Sequence, residues 1–169
     1  MTTYATLEDA KMQGKKVLLR AGFDVPMEKG KVMDTERIEA VLPTMKYILG
    51  QVAALIIMSH QGRPKGKPVP EFSQKPLVPI LEKLLGKKVA FAASCRGKEP
   101  LALAKALKPG EVLFLENLRY EPGEEKNDPA LAKELAALAD IYVNDAFTNC
   151  HRNHASMTGV PKLLPSFMG

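Results

Sequence analysis

The sequence predicts a Rossmann-like, three-layer α/β domain: a parallel sheet of about five to six strands with helices on both faces. Two observations predict it. Short apolar runs without polar alternation, residues 53–58 (AALIIM) the clearest, suit strands covered on both faces. Between them lie stretches with apolar residues at helical spacing, opened by a capping residue or proline and mostly closed by glycine. A chain of 169 residues can bury one good core, so a single domain, 1–169, is the expected count.

In chain order, residues 15–20 (KKVLLR) form the first strand and open into 21–26 (AGFDVP). Gly30 marks a turn. Asp34 is a suitable N-cap for a helix with Ile38, Val41, Leu42, Met45, Ile48 and Leu49 on one face, ended by Gly50. Pro43 removes one backbone hydrogen bond inside that helix and predicts a kink. The central strand, 53–58, runs into a small basic loop, 59–64 (SHQGRP), where Gly62 allows close backbone approach. Residues 65–74, rich in Pro, Lys and Gly, read as an exposed connection. Pro76 suits the first turn of a helix with Leu77, Ile80, Leu81, Leu84 and Leu85 as its apolar stripe and Gly86 as its stop. Residues 88–92 (KVAFA) make the third strand. Pro100 begins an Ala/Leu helix closing at 108–110, and 111–115 (EVLFL) make the fourth strand. The charged run 124–128 reads as a solvated loop leading to Asp128 and Pro129, the N-cap and first turn of a helix through Ala139 that buries Leu131, Leu135 and Leu138. Residues 141–143 are the fifth strand, which exits into 144–154.

With 24 Lys+Arg against 19 Asp+Glu the net charge is +5, and an acidic partner is expected. The lysines are spread along the chain without a dense basic run, which favours a phosphorylated metabolite over nucleic acid or a membrane surface. Cys95 and Cys150 are too few for a disulfide scaffold and no signal or transit peptide is seen, so the reducing cytosol is the expected compartment. No apolar run approaches the roughly 18 residues of a membrane span. The eight methionines read as core filler.

What the strands deliver at their carboxyl ends is more telling, because ligands of open α/β sheets bind there. Four strand ends carry Arg20, then His60 and Arg63, then Arg119, then His151 and Arg152, and Arg37 can reach the same rim from the first long helix. Like charges held together repel unless an anion offsets them. Guanidinium groups bind phosphate and carboxylate through paired N–H donors, each charge-assisted bond contributing about 1.5–3 kcal/mol. Neither Gly-x-x-x-x-Gly-Lys-Ser/Thr nor Gly-x-Gly-x-x-Gly follows a strand, so no nucleotide site is recognisable. Cys150, His151 and His154 lack a fourth ligand and His151 sits beside Arg152, so no metal site is expected.

The loops themselves are distinctive. SHQGRP at 59–64, LENLRYEPGEEKND at 115–128, VNDAFTNCHRNHAS at 143–156 and RAGFDVP at 20–26 closely resemble the signature segments of the phosphoglycerate kinase family, in the family's order and spacing over essentially the whole chain. The resemblance implies the N-terminal of two α/β domains, the one that holds 3-phosphoglycerate, with a C-terminal nucleotide domain beyond this chain. Residues 164–169 fall about where the family enters its interdomain helix. It implies that His60 and Arg63 hold the substrate, that Arg119 and Arg152 grip its phosphate, and that Arg37 lies by the carboxyl group that receives the phosphoryl, as the catalytic cation. Gly22, Phe23, Asp24, Gln61 and Gly62 join the substrate loops, and Arg20 and His151 support the basic patch. Mg-ATP or Mg-ADP is expected on the C-terminal domain and not on this chain. A cytoplasmic, monomeric glycolytic transferase is implied, with this half inactive by itself.

The match has departures. Gly22 stands where the family has an aspartate that contacts the substrate hydroxyls, and Asp24 where it has an asparagine, so the acceptor role passes to Asp24. Thr148 replaces a common glycine. Gln61 replaces a common leucine and is expected to alter only the loop surface. The rival reading is a non-catalytic anion-binding domain that senses a phosphorylated metabolite or binds nucleic acid.

Overall fold

The computed structural model describes residues 5–169. Strands β1 (Lys16–Ala21), β4 (Ala54–Met58), β5 (Val89–Ala92), β6 (Val112–Leu115), β7 (Ile141–Asp145) and β8 (Ser166–Met168) form one six-stranded sheet. Its order is β5-β6-β4-β1-β7-β8 and every pairing is parallel. A two-stranded antiparallel ribbon, β2 (Met27–Glu28) with β3 (Lys31–Val32), stands apart in the connection that leaves β1.

Helices cover the sheet as the period-2 geometry of strands requires. Val17 and Leu19, Leu55 and Ile57, Val112 and Phe114 face one side, where they pack against α1 (Glu36–Gly50) and α2 (Val78–Leu85) through Ile38, Val41, Met45, Ile48 and Leu81. Leu18, Ile56, Met58, Leu113, Leu115 and Tyr142 face the other, where they meet α3 (Lys98–Ala106) and α4 (Pro129–Ala136) through Ala104, Leu131 and Leu135. Two apolar clusters separated by one sheet are the three layers the sequence predicted. Phe23 and Phe91 each meet Phe114 edge-on, at centroid distances of 6.0 and 6.1 Å, and tie the strand ends to the first cluster.

Several local expectations change. Helix α1 runs unbroken through Pro43, because one missing hydrogen bond is outweighed by burying Ile38, Val41, Met45 and Ile48 along the same face. Its capping residue is Thr35, with the Asp34 carboxylate accepting from the Glu36 amide at 2.6 Å. Residues 75–77 are a 3-10 turn, so α2 proper starts at Val78, and α4 ends at Ala136, short of Ala139. Asp128 does cap α4, accepting from the Ala130 amide at 2.7 Å. Strand β8 is the sixth strand of the sheet, on its β7 edge.

Candidate functional site

The chain order of the strands and their order in space differ in a way that builds the site. Strands β6, β4, β1 and β7 lie side by side. These four carry the basic loops, and all run parallel, so their carboxyl ends open on one edge. A cleft of about 260 Å³ lies there, lined by Gly22, Asp24, Arg37, His60, Gly62, Arg63, Arg119, Thr148, Asn149 and Arg152. It gathers four guanidinium groups against one carboxylate.

Two of the four cations are held by backbone carbonyls of neighbouring loops. Arg37, exposed on the first turn of α1, donates from Nη1 to the Asp24 carbonyl at 2.7 Å. Arg119, in the turn after β6, is buried and donates from Nη1 to the Gly62 carbonyl at 2.7 Å. Its Nε lies 3.6 Å from a Glu125 carboxylate oxygen. Burial pulls the Arg119 guanidinium down from its ordinary value; Glu125 pushes it up and Arg152 pulls it down again. The Nε atoms of Arg119 and Arg152 are both buried without a hydrogen-bond partner among the described residues. Such donors are costly unless an acceptor meets them, which is the condition of a site shaped for an anion.

Asp24 and His60 form the polar centre. The Asp24 carboxylate accepts from the Gly62 amide at 2.9 Å, and its other oxygen lies 3.6 Å from His60 Nε2. Burial pushes the Asp24 carboxyl up, but the His60 ring and the Gly62 amide outweigh it and hold it at about 2. His60 is 2% exposed. Burial drives its imidazole down to about 4, with Asp24 opposing and Arg20 and Arg119 assisting. His60 is therefore neutral at neutral pH, and its approach to Asp24 is a charge–dipole contact and not an ion pair.

Two residues whose importance the sequence did not reveal hold the loops in register. Asn117 is fully buried and uses all four of its hydrogen-bonding positions. Its Nδ2 donates to the Gln61 and Phe72 carbonyls at 2.7 and 2.8 Å, while its Oδ1 accepts from the Gln61 and Arg119 amides at 3.2 and 3.0 Å. Glu116 beside it accepts from the Ser73 hydroxyl at 2.7 Å and the Gln74 amide at 2.7 Å. The pair thereby ties the loop after β4 to the loop after β6. The signal in the sequence was polar residues following directly on an apolar strand, which reads as ordinary loop composition.

Four of the expected site residues, Phe23, Gln61, Arg20 and His151, fall outside the lining. Phe23 is fully buried, its amide donating to Ser59 Oγ at 3.1 Å. Gln61 does not decorate the loop surface: it is 5% exposed and exchanges two hydrogen bonds with the backbone of Val25, at 2.6 and 3.2 Å. A buried amide needs partners, and Gln61 finds them by stitching the loop after β1 to the loop after β4. Arg20 has the same parity on β1 as Leu18, so its side chain leaves on the α4 side of the sheet and lies buried behind the cleft. His151 is exposed and does not line the cleft. Gly22 does line it, and a Cβ there would meet neighbours at no less than 3.7 Å, so neither space nor backbone demands a glycine. Among the described residues, no helix is long and apolar enough to cross a membrane, and no group of three or more His, Cys, Asp or Glu is placed to hold a metal ion.

Comparison with known proteins gives one answer. A family model described as phosphoglycerate kinase matches residues 7–169. The phosphoglycerate kinase of Moorella thermoacetica is 54% identical over 164 residues, which are 97% of this chain and 42% of that protein. That of a Ruegeria species is 51% identical over 166 residues, 98% of this chain and 42% of the relative. Among solved structures, phosphoglycerate kinase from Coxiella burnetii superposes on 98% of this chain and 41% of its own with a TM-score of 0.87 at 36% identity. The enzyme from Pyrococcus horikoshii gives 98%, 42%, 0.90 and 34% in the same terms. The chain thus spans about two fifths of the length of the curated relatives it matches. With the match running through all four cleft loops, the chain belongs to the phosphoglycerate kinase family.

Proposed function

We propose that this chain is the phosphoglycerate-binding half of a phosphoglycerate kinase. The observation that carries the reading is the convergence of Arg37, Arg63, Arg119 and Arg152 with His60 on one small cleft. A three-carbon acid bearing a phosphate at one end and a carboxylate at the other offers anionic oxygens at both ends, and guanidinium groups carried by four separate segments of the cleft lining match them. Arg119 and Arg152 take the phosphate, Arg63 and the Nε2–H of His60 take part in holding the body of the substrate, and Arg37 faces the carboxylate.

The chemistry asks little else of this half. A carboxylate is ionised at neutral pH and needs no general base to accept a phosphoryl group. What the transfer requires is alignment of the acceptor and neutralisation of charge on the moving phosphoryl, to which Arg37 contributes as a cation. The donors of the cleft suit an anion: its one lining carboxylate, Asp24, already accepts from Gly62, and this set does not fit Mg²⁺. Mg-ATP or Mg-ADP is assigned to a second, nucleotide-binding domain in the intact enzyme, and closure of the two halves would exclude water from the acyl phosphate.

Calorimetric titration of this chain with 3-phosphoglycerate, beside Arg37→Ala and His60→Ala, is the test. Saturable one-to-one binding weakened at least tenfold in either variant is expected, with no ATP-dependent product from this chain alone. Binding of a generic oligonucleotide that falls steeply with salt, with no response to phosphoglycerate, would overturn the reading.

A further inference from the structure

Behind the cleft runs a buried chain of hydrogen bonds that the proposed reaction does not account for. Arg20 is its hub, 1% exposed. Its Nη2 lies 2.8 Å from His60 Nδ1, its Nε donates to Ser156 Oγ at 3.0 Å, and its Nη1 donates to the Ala21 carbonyl at 2.5 Å. Ser156, fully buried, donates from Oγ to one oxygen of Glu124 at 2.5 Å and from its backbone amide to the other at 3.0 Å. Tyr142 holds the serine in place, its hydroxyl donating to the Ser156 carbonyl at 2.9 Å. Glu124 belongs to the run expected to be a solvated loop, yet it is 1% exposed.

The direction of every proton in this chain follows from arginine having donors only. Since Arg20 Nη2 can only donate, His60 Nδ1 must accept, and a neutral His60 then carries its proton on Nε2, on the side of Asp24 and the cleft. Since Arg20 Nε can only donate, Ser156 Oγ accepts from it and passes its own proton to Glu124, which accepts at both oxygens as a carboxylate does. Glu124 also offsets the Arg20 charge across the serine, which a buried guanidinium requires. Without Ser156 and Glu124 the guanidinium would lose its anchor at Nε and the carboxylate that offsets its charge, keeping only the Ala21 carbonyl to hold it against His60 Nδ1, and the preference of His60 for one tautomer would weaken.

We propose that Ser156 and Glu124 are positioning residues, which hold Arg20 so that His60 presents its Nε2–H to an anion in the cleft. The proposal deepens the phosphoglycerate reading and rests on it for the identity of the anion. The groups that face His60 are Arg20 from β1, Asp24 from the loop after β1 and Arg119 from the turn after β6.

Long-range proton–nitrogen NMR of the histidine rings in this chain tests it without any ligand, the His60 signals being identified by their loss in His60→Gln. The parent should show His60 as the Nε2–H tautomer and a slowly exchanging Arg20 Nε proton. Ser156→Ala should raise the Nδ1–H tautomer several-fold and weaken 3-phosphoglycerate binding about three- to tenfold, and Ser156→Thr, which restores the hydroxyl, should reverse both. A parent His60 protonated on Nδ1, or a rapidly exchanging Arg20 Nε, overturns the proposal even if Ser156→Ala fails to fold. An unchanged tautomer in folded Ser156→Ala overturns it while leaving phosphoglycerate binding standing. Absence of phosphoglycerate binding to a parent with the expected tautomer would instead count against the functional reading alone.

Discussion

The backbone amide of Gly62 donates to the Asp24 carboxylate at 2.9 Å, and the Gly62 carbonyl accepts from Arg119 at 2.7 Å. One glycine thus joins a carboxylate from the loop after β1 to a guanidinium from the turn after β6. The loop after β4 lies between the other two, as β4 lies between β6 and β1 in the sheet.

Asp24 contributes a negative charge to a cleft lined by four guanidinium groups. Held at about 2, it is ionised at neutral pH, so replacing it with asparagine removes a full charge while keeping an acceptor for the Gly62 amide. We expect Asp24→Asn to bind 3-phosphoglycerate about three- to tenfold more tightly, as the roughly 1 kcal/mol of repulsion between unit charges ~4 Å apart at a water-like dielectric warrants in a cleft open to solvent. Asp24→Ala, which loses the acceptor as well, should gain less. Calorimetry on both variants decides it; weaker binding by the asparagine variant would show that the charge itself is used.

Gly62 cannot be exchanged cheaply. Its φ of +59° lies in the left-handed region, and a Cβ would come within 2.5 Å of the Phe72 ring. Gly62→Ala combines about 1–2 kcal/mol of backbone strain with the displacement of a packed ring, so a loss of about 2–4 kcal/mol is expected in urea unfolding. At Gly22, where the backbone is unstrained and the space open, Gly22→Ala should change stability by less than about 1 kcal/mol.

Asn117 satisfies four backbone groups at once, so its loss strands several of them in a water-free place. Asn117→Ala should cost about 3 kcal/mol of stability. It should also weaken anion binding, because the loops bearing His60 and Arg119 lose their common clamp. Unfolding and titration measured together separate this from a purely local defect, which would lower stability and leave affinity alone.

Acid should unfold the domain in a window set by His60. In the unfolded chain this residue titrates near 6.5 and in the folded chain at about 4, so protons bind the unfolded state more readily. The stability tied to its neutral form is whole above pH 6.5 and falls away as pH drops toward 4, by on the order of 3 kcal/mol. His154, also lowered by burial, adds in the same direction. Asp24 loses its contribution only at lower pH, between 3.8 and about 2. Urea midpoints measured from pH 7.5 to 4 should decline for the parent and decline less for His60→Gln, which does not titrate but keeps an acceptor for Arg20.

Much of this was legible in the residues. The unbroken apolar runs and the spacing of Ile38, Val41, Met45 and Ile48 implied a sheet with helices on both faces, because burial on both sides leaves no place for polar alternation. The basic residues just past the strands implied a cationic edge, since parallel strands share the end at which they finish. Strand β8 was not legible: three residues between Pro165 and Gly169 are too short for a periodic signal, and the pairing with β7 defines it. Glu124 and Gln61 were misread for a related reason. Composition marks a polar side chain as a surface residue by default, and only its partners, Ser156 for one and the Val25 backbone for the other, make burial favourable.

By itself, then, the sequence determined five of the six sheet strands and the four α-helices to within a few residues at their ends, that the strand exits are basic, and to which family the loops belong, because those depend on local periodicity and on runs of contiguous residues. The tertiary structure decided that β6, β4, β1 and β7 are neighbours, that Arg37, Arg119 and Arg152 meet in one cleft, and that Arg20 turns away behind it to hold His60. Those outcomes rest on strand order, side-chain parity and hydrogen bonds between segments far apart in the chain, and none of these leaves a local trace.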